Sequence, residues 1–331
     1  MDNREYVFRW EYTKSGGVRI LCGYGASPYV MIPEQIEGIP VTEIGAYCFS
    51  DSSKKNTESE IGSSDTAENI SGIKKPWMRE LSGKYIQKVI LPDSVEKLGN
   101  LAFYNCSGLE ELHFGKGLVE VGSDAFMNCL HLKLLVLQCG IQENSGLKQI
   151  LSQRASDTQV IFQREGRTEG ALFYPEYYEM YDEVGPAHIF ALNLTGEGFR
   201  ARQCFQDGIV DLGKYDGIFE QACVEESPET LSKMALNRLR YPVGLSAQAR
   251  IRYQNYVRGQ AEWIITELVK TKQLDLLTFL FQEKNLSGQW LDRSIQIASG
   301  QGWPEGAASL LRLKQNFSGE SGKERYSFDS F

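Results

Sequence analysis

Three histidines are the first residues to consider for chemistry, because imidazole changes charge near neutral pH and is a common catalytic and metal-binding group. They are His113, His131 and His188. His188 lies close to Cys204 in the sequence, and a cysteine-histidine pair could act as nucleophile and base. Neither residue stands in a recognised local motif, and buried structural cysteines are commoner than catalytic ones. We therefore expect no enzyme activity, no cofactor and no metal site.

A second candidate set interleaves arginine with tyrosine. Guanidinium groups bond carboxylates and phosphates bidentately and stack on aromatic rings, so this set could bind an acidic partner or a phosphate. Alternatively, its arginines pair with Glu225, Glu226, Glu229 and Glu262, and its tyrosines pack between helices. The members of the set are Arg238, Arg240, Tyr241, Arg250, Arg252 and Tyr253, followed by Tyr256 and Arg258.

If the chain were an enzyme, its site would lie in residues 163–258, around His188, Cys204, Tyr241 and Arg252. A deep pocket joining those four residues would be needed. The carboxylates of the same region could perform acid-base work or hold calcium, but charge runs usually form a solvated helix face. We expect that helix face to carry Glu176, Glu179, Asp182 and Glu183.

The elements that position these residues begin with a repeat of 23 residues, which overrides local propensities. One copy opens at Ile86 and the next at Leu109, and a third opens at Leu132. Each copy begins with an apolar-x-x-apolar-x-apolar strand, and the first two continue with a glycine and an Ala-Phe-x-x-Cys segment. We expect Phe103 to stack on Phe126 and Cys106 on Cys129. We also expect Gly99 and Gly122 to supply conformational freedom at the turns.

Residues that alternate with the inward apolar positions should form outward columns across the strands, because side chains alternate on a pleated strand. The expected columns are Lys88, Glu111 and Leu134, and beside them Ile90, His113 and Val136. Exposed apolar residues beside a histidine would make a binding patch. The alternative is that the segment after the repeats covers part of this face. His131 falls in a turn, and we expect both repeat histidines to be isolated and solvent-facing.

An earlier unit, Ile32 to Phe49, fits the same template with a longer turn. Between it and the main repeats lie residues 51–73, whose polar composition lacks a core pattern, so we predict a disordered or loosely held insertion there. The segments Pro-Val-Thr-Glu-Ile-Gly, Leu-Pro-Asp-Ser-Val-Glu-Lys-Leu-Gly and Ala-Phe-x-x-Cys resemble the BspA-like leucine-rich repeats of bacteria. The resemblance covers about residues 15–138 and implies a repeat solenoid. Members of the family that the chain resembles are known mainly as surface adhesins or as uncharacterised proteins.

The remaining chain divides by its pattern. We expect the solenoid to span 1–162, a mixed α/β connecting segment 163–224, a helical domain 225–317 and a flexible tail 318–331. Ser227 and Pro228 have the N-cap and first-turn positions of a helix. Further helices are predicted at 246–258, 260–271, 274–282, 288–299 and 304–314. The last of them faintly resemble ankyrin-type helix pairs, but no clean 33-residue period is present. The predicted fold class is α+β, with a helical bundle or α-solenoid after the repeats.

Composition limits the function. A net charge of -8 opposes nucleic-acid or anionic-membrane binding, since both need a positive field. No export signal or membrane-spanning apolar run is visible, and seven cysteines without a Cys-x-x-Cys pair fit a reducing compartment. We therefore predict a cytoplasmic scaffold that binds a protein partner of unknown identity. The alternative is an extracellular adhesin or glycan-binding protein whose signal segment has been removed.

Overall fold

The structure is a computed structural model that describes residues 6–51, 69–72, 75–184 and 189–324. The chain forms two compact units, Met1–Glu226 and Ser227–Phe331. The first unit contains the repeat solenoid and the second is helical. The predicted α+β class, with a solenoid followed by helices, is confirmed. The finer division of the first unit at residue 162 stays a prediction.

The solenoid is built from short strands, as expected where each coil contributes only a few residues to a sheet. The strands are β1 (Tyr6–Tyr12), β2 (Val18–Gly25), β3 (Tyr29–Met31), β4 (Gln35–Ile36), β5 (Ile39–Ile44), β6 (Asn69–Ile70), β7 (Arg79–Glu80), β8 (Lys88–Ile90), β9 (Lys97–Leu98), β10 (Glu111–Gly115), β11 (Glu120–Val121), β12 (Leu134–Gln138), β13 (Thr158–Arg164) and β14 (Arg167–Tyr174). Helix α1 (Leu147–Ser152) precedes β13.

These strands form two sheets. Sheet A has the order β11-β9-β5-β2-β1-β6, with β4 and β7 attached, and sheet B has the order β14-β13-β12-β10-β8-β3. In sheet B, β8, β10 and β12 are parallel, and Glu111 lies opposite both Lys88 and Leu134. Equivalent positions of successive repeats are therefore neighbours across the sheet, as the 23-residue period predicts.

The core between the sheets repeats with the coils. The rings of Phe49, Phe103 and Phe126 stack, with centroids 5.1 and 5.2 Å apart. The Cys106 thiol donates to the Phe49 carbonyl and the Cys129 thiol to the Phe103 carbonyl, both at 3.0 Å. The predicted Phe103–Phe126 stack is confirmed. The earlier unit that ends at Phe49 belongs to the same core.

The repeat glycines are required for a different reason from the one predicted. Neither Gly99 nor Gly122 has a positive φ. A Cβ on Gly99 would lie 2.4 Å from the amide nitrogen of Ala46, and a Cβ on Gly122 would lie 2.5 Å from that of Asn100. Adjacent coils approach so closely here that only a hydrogen atom fits between them.

Both ends of the solenoid are capped, since a bare terminal coil would expose apolar side chains. The antiparallel pair β1–β2 lies at one end and the pair β13–β14 at the other. Arg154, which is buried, donates to the carbonyls of Cys129 and Leu132 and to the Ser156 hydroxyl. Burial lowers the pKa of Arg154 to about 10. The guanidinium thus bonds backbone carbonyls where the second repeat copy ends and the third begins.

The segment after the solenoid departs from the prediction. Residues 176–183 were expected to form a helix face, but Tyr178–Val184 is a strand (β15) that pairs antiparallel with Ile189–Thr195 (β16). Gly198–Arg202 forms a short helix (α2). The strands β17 (Phe205–Gln206) and β18 (Ile209–Val210) and the helices α3 (Leu212–Gly217) and α4 (Phe219–Glu225) complete the unit.

The second unit follows its predicted pattern closely. Its helices are α5 (Pro228–Arg240), α6 (Ala247–Gly259), α7 (Ala261–Lys270), α8 (Leu274–Gln282), α9 (Gly288–Gly300) and α10 (Pro304–Glu324). The Ser227 hydroxyl accepts from the Thr230 amide, so the predicted N-cap is confirmed. Helix α10 continues to Glu324, into the segment 318–331, whose flexibility stays a prediction. That extension is polar throughout and has no apolar period by which a sequence pattern could reveal it.

The structure reveals a repeat that the sequence did not show clearly. Five buried positions of α7 and α8 recur 30 residues later as buried positions of α9 and α10. The first five are 261, 264, 268, 277 and 280, and their counterparts are 291, 294, 298, 307 and 310. The turns match too, because Lys272 and Gly302 both have positive φ. Gln273 donates to the Leu268 carbonyl and Trp303 to that of Ala298, at 2.8 and 2.9 Å. The two helix pairs are therefore copies of one structural unit.

The predicted insertion at 51–73 lies mostly outside the described residues. Its described end contains Asn69–Ile70, which is a strand that pairs with β1.

Candidate interaction surface

The outward face of sheet B carries the predicted columns and extends them. Strand pairing places Lys88, Glu111 and Leu134 in one row. A second row passes through Ile90, His113 and Val136 in the same register. Strand β3 adds one residue to each row: Tyr29 lies beside Lys88, and Met31 lies beside Ile90. The rows therefore cross at least four strands of a regular sheet.

Exposure changes across these rows. Tyr29 and Met31 are 59% and 46% exposed, whereas Ile90 and Leu134 are half-buried. Val136 is only 3% exposed, which corrects its predicted place in an exposed patch. The open part of the face therefore lies toward β3.

The β14 end of the face is closed. Ala171 and Phe173, which follow the two rows onto β14, are both buried. The Tyr215 hydroxyl of α3 donates to the Phe173 carbonyl at 2.6 Å and accepts from its amide at 3.2 Å. The segment after the repeats thus contacts this edge, and the predicted alternative of a partly covered face describes this end.

A charged cluster lies on strands β8 and β10 of the outward face of sheet B. The Lys88 ammonium bonds Glu111 at 2.9 Å, and the His113 Nε2 lies within hydrogen-bond distance of the same carboxylate. Burial alone would raise the pKa of Glu111, but the bonds with His113 and Lys88 outweigh it, so the pKa is lowered. The expectation of an isolated, solvent-facing His113 is wrong, because this ring is half-buried and paired. His131 is exposed, as predicted, but it is not isolated, because its Nδ1 lies 2.5 Å from the Ser107 carbonyl oxygen.

The outward face of sheet A is different, because its charges neutralise one another. A row of alternating sign crosses five strands: Glu11, Arg19, Glu43, Lys97 and Glu120. Arg19 pairs with Glu11 at 2.6 Å and with Glu43 at 2.7 Å, and Lys97 pairs with Glu120 at 2.6 Å. Opposite charges on neighbouring strands stabilise a sheet. We assign this row a structural role.

The arginine-tyrosine set of the helical unit does not form the predicted surface. Arg238 and Tyr253 are completely buried, so neither presents a side chain to a partner. Arg238 donates to the carbonyls of Tyr241 and Val243, at 3.2 and 3.0 Å, and thereby holds the turn after α5. A buried guanidinium needs such acceptors, because an unbonded one would be very costly.

The remaining members of the set stay near the surface. Arg240 stacks on the Tyr241 ring with its guanidinium 5.6 Å from the ring centre. Arg250 is exposed and Arg252 is half-buried. The expected acidic partner Glu262 bonds Arg293 at 2.7 Å. The structure thus gives this set packing and capping contacts, and its role in binding stays a prediction.

The cysteine considered as a nucleophile is in an unfavourable setting. Cys204 is buried, and burial raises the pKa of its thiol to about 11. At neutral pH such a thiol stays protonated, whereas the thiolate is the nucleophile. His188 lies outside the described residues.

Sequence reasoning missed Tyr29 and Met31, although a signal was present. Tyr29-Val-Met-Ile-Pro33 has the same pattern as Lys88-Val-Ile-Leu-Pro92. In both segments the central valine is buried and its neighbours point outward. Aligning the two prolines would have placed Tyr29 and Met31 on the face.

Comparison with known proteins agrees with the architecture. Residues 78–150 match the model of the BspA type leucine rich repeat region, with six copies. The repeats of this segment are of the BspA type. This confirms the resemblance inferred from their residues, although the matched range begins after the earlier unit that ends at Phe49. Leucine-rich repeats of this family serve in general as protein-interaction modules.

A solved structure similar to this chain is the T. pallidum leucine rich repeat protein. It is 18% identical, and the match covers 42% of this chain and 73% of that one, with a TM-score of 0.22. No curated protein matches the chain. Among the helices that the structure describes, none combines the length and the apolar character needed to cross a membrane.

Proposed function

We propose that this chain is a scaffold that binds a protein partner through the open face of sheet B. That face, here called the open face, comprises Tyr29, Met31, Lys88, Ile90, Glu111, His113 and Leu134. The observation that carries the proposal is the pairing register, which aligns exposed apolar residues beside a charged cluster on regular strands. Aromatic and methionine side chains at the centre of an interface are typical of protein contacts.

Two further observations support a protein as the partner. The unit that contains the solenoid, residues 1–226, has 21 lysines and arginines against 33 aspartates and glutamates, which gives a formal charge of -12. Such a field repels nucleic acid and anionic membranes. The ion-paired row on sheet A, by contrast, leaves little apolar area for a partner.

The test begins by identifying partners through chemical cross-linking of the full chain in its native cells. Affinity of each purified partner is then measured for the wild type and for Met31→Glu and Ile90→Glu. We expect each variant to weaken binding at least about tenfold, because a carboxylate would be desolvated at the contact. Val119→Glu is the matched control, since Val119 is 53% exposed and lies away from sheet B.

Circular dichroism establishes that the variants are folded. If Val119→Glu weakens binding as much as Met31→Glu, the open face is not the contact surface. A cross-linked partner that binds both sheet B variants with unchanged affinity would also contradict the proposal.

A further inference from the structure

The helical unit is basic although the whole chain is acidic. Residues 227–331 contain 14 lysines and arginines against 10 aspartates and glutamates, a formal charge of +4. The field of this unit therefore attracts anions, whereas that of residues 1–226 repels them. A binding site for an anion is accordingly more favourable in the helical unit.

A cavity of about 890 Å³ lies within this unit, a size that suits a small organic ligand. Its charged lining residues are Arg258, Lys284, Lys314 and Asp292, so the lining has a net charge of +2. Lys314 bonds Asp292 at 2.5 Å. Two cations, Arg258 and Lys284, therefore remain without a carboxylate among the residues that the structure describes.

The two unneutralised cations have spare donors. Arg258 donates through Nε to the Asn285 carbonyl at 3.3 Å, which leaves its terminal nitrogens without a described partner. The Lys284 ammonium is exposed and has no hydrogen-bond or ion-pair partner among the described residues. Both groups can therefore donate to a bound anion without breaking an existing ion pair.

The three cations reach the cavity from different elements. Lys284 lies in the turn after α8, where its φ is positive, and Lys314 lies within α10. Arg258 belongs to α6. All three line the cavity.

The rest of the lining suits an organic group. Phe281, Leu286 and Trp290 provide apolar surface, and Trp290 is partly exposed. Helix α9 also begins at the cavity, and no side chain caps its first amides. These amides add partial positive charge, which reinforces the field of the three cations.

We propose that this cavity binds the phosphate group of a small phosphorylated ligand whose organic part packs on Trp290. The net charge of +2 matches the charge of a phosphate monoester near neutral pH. Arginine presents the planar donors that phosphate oxygens accept, and lysine adds a point charge. This site is distinct from the open face and goes beyond the proposed function.

The test is calorimetric titration of the full chain at low salt with three probes. They are inorganic phosphate, a nucleoside monophosphate, and the same nucleoside without phosphate. We expect the monophosphate to bind more tightly than inorganic phosphate, and the nucleoside to show no binding. Lys284→Gln should weaken both phosphate probes about tenfold, because it removes one charge-assisted hydrogen bond.

Two matched variants identify the site. Arg312→Gln removes an exposed cation of the same unit that does not line the cavity, so we expect it to bind like the wild type. Trp290→Phe should weaken the monophosphate and leave inorganic phosphate unchanged. Circular dichroism verifies that each variant is folded.

Three results would overturn the proposal. One is the absence of binding by both phosphate probes. Another is equal weakening by Lys284→Gln and Arg312→Gln, which would show attraction to the general field rather than to this cavity. The third is that inorganic phosphate and the monophosphate bind with equal affinity and that Trp290→Phe changes neither affinity. This result would show that the cavity does not bind the organic part of the ligand.

Discussion

Replacing Gly99 by alanine tests how the coils are packed. The added Cβ would lie 2.4 Å from the amide nitrogen of Ala46 and 2.7 Å from the carbonyl carbon of Gly45, where ordinary contact needs at least 3.4 Å. Both neighbours are backbone atoms, so no side-chain rotation can relieve the overlap. The two coils must therefore separate by about 1 Å at this point.

That separation strains the contacts that join the coils. The backbone amide of Gly99 donates to the Ile44 carbonyl at 2.7 Å, and the backbone amide of Tyr47 donates to the Asn100 carbonyl at 3.1 Å. Overpacking costs about 1–3 kcal/mol, and each weakened hydrogen bond adds about 1 kcal/mol. We expect the free energy of unfolding to fall by about 3–5 kcal/mol, a large part of the stability of a typical domain.

The assay is urea unfolding followed by hydrogen exchange and mass spectrometry of peptides from residues 86–138, which report the solenoid alone. The control is Gly217→Ala in α3, where no atom lies within 4 Å of the added Cβ and φ is not positive. We expect that control to change stability by about 1 kcal/mol at most. Unfolding of Gly99→Ala at the wild-type urea concentration would refute the close-packing argument.

Three further predictions concern thiols, pH and helix capping. Iodoacetamide should modify the native protein at exposed Cys223 and spare buried thiols such as Cys129, because burial raises the pKa of the Cys129 thiol to about 11. Mass spectrometry should count seven adducts after denaturation, and rapid modification of Cys129 in the native protein would contradict its burial. Because the pKa of Glu111 is lower in the folded chain, this carboxylate stabilises the fold above its unfolded pKa near 4.5, and that stabilisation is lost as the pH falls through the folded pKa. The melting temperature of Glu111→Gln should therefore depend less on pH in that acidic range than that of the wild type. Ser246→Ala should destabilise the helical unit by about 1 kcal/mol in chemical denaturation, because the Ser246 hydroxyl caps α6 by accepting from the Ala249 amide, and an unchanged midpoint would argue against this cap.

The solenoid could be predicted because its interactions repeat with the chain. Phe103 and Phe126 differ by one period, and the same spacing that identifies them in the sequence brings their rings together. Local patterns likewise identified the helix that begins at Pro228, since its N-cap and apolar face are encoded within a few residues. The 23-residue period identified Gly99 and Gly122 in the sequence. The reason that glycine is needed there is the close approach of a neighbouring coil, which the period does not show.

Other features depend on contacts that leave no local pattern. Arg238 was expected at the surface, as arginine usually is. Its burial depends on the turn after α5, whose carbonyls accept its protons. The strand Tyr178–Val184 was mistaken for a helix because its run of carboxylates resembles a solvated helix face, whereas its structure comes from pairing with β16.

The candidate surface was predicted in register but not in exposure. Strand alternation and the 23-residue period suffice to align Ile90 with His113 and Val136. They do not show that Val136 is buried, because its exposure depends on tertiary packing outside the repeat pattern. Sequence reasoning therefore located the rows, and only the structure shows which end is open.

The two outward faces of the solenoid show why one is the better candidate for binding. On sheet A, a partner would have to compete with ion pairs such as Arg19–Glu43, which already join neighbouring strands at 2.7 Å. On sheet B, a partner that covers Tyr29 and Met31 removes exposed apolar area from water. The side chains of Met31 and Ile90 are apolar, so the partner breaks no ion pair of theirs. Glu111 and its two partners then add orientation, because a contact with polar groups at fixed positions discriminates among partners more strongly than apolar area alone. The same period that builds the core thus also spaces the apolar and charged groups of the open face.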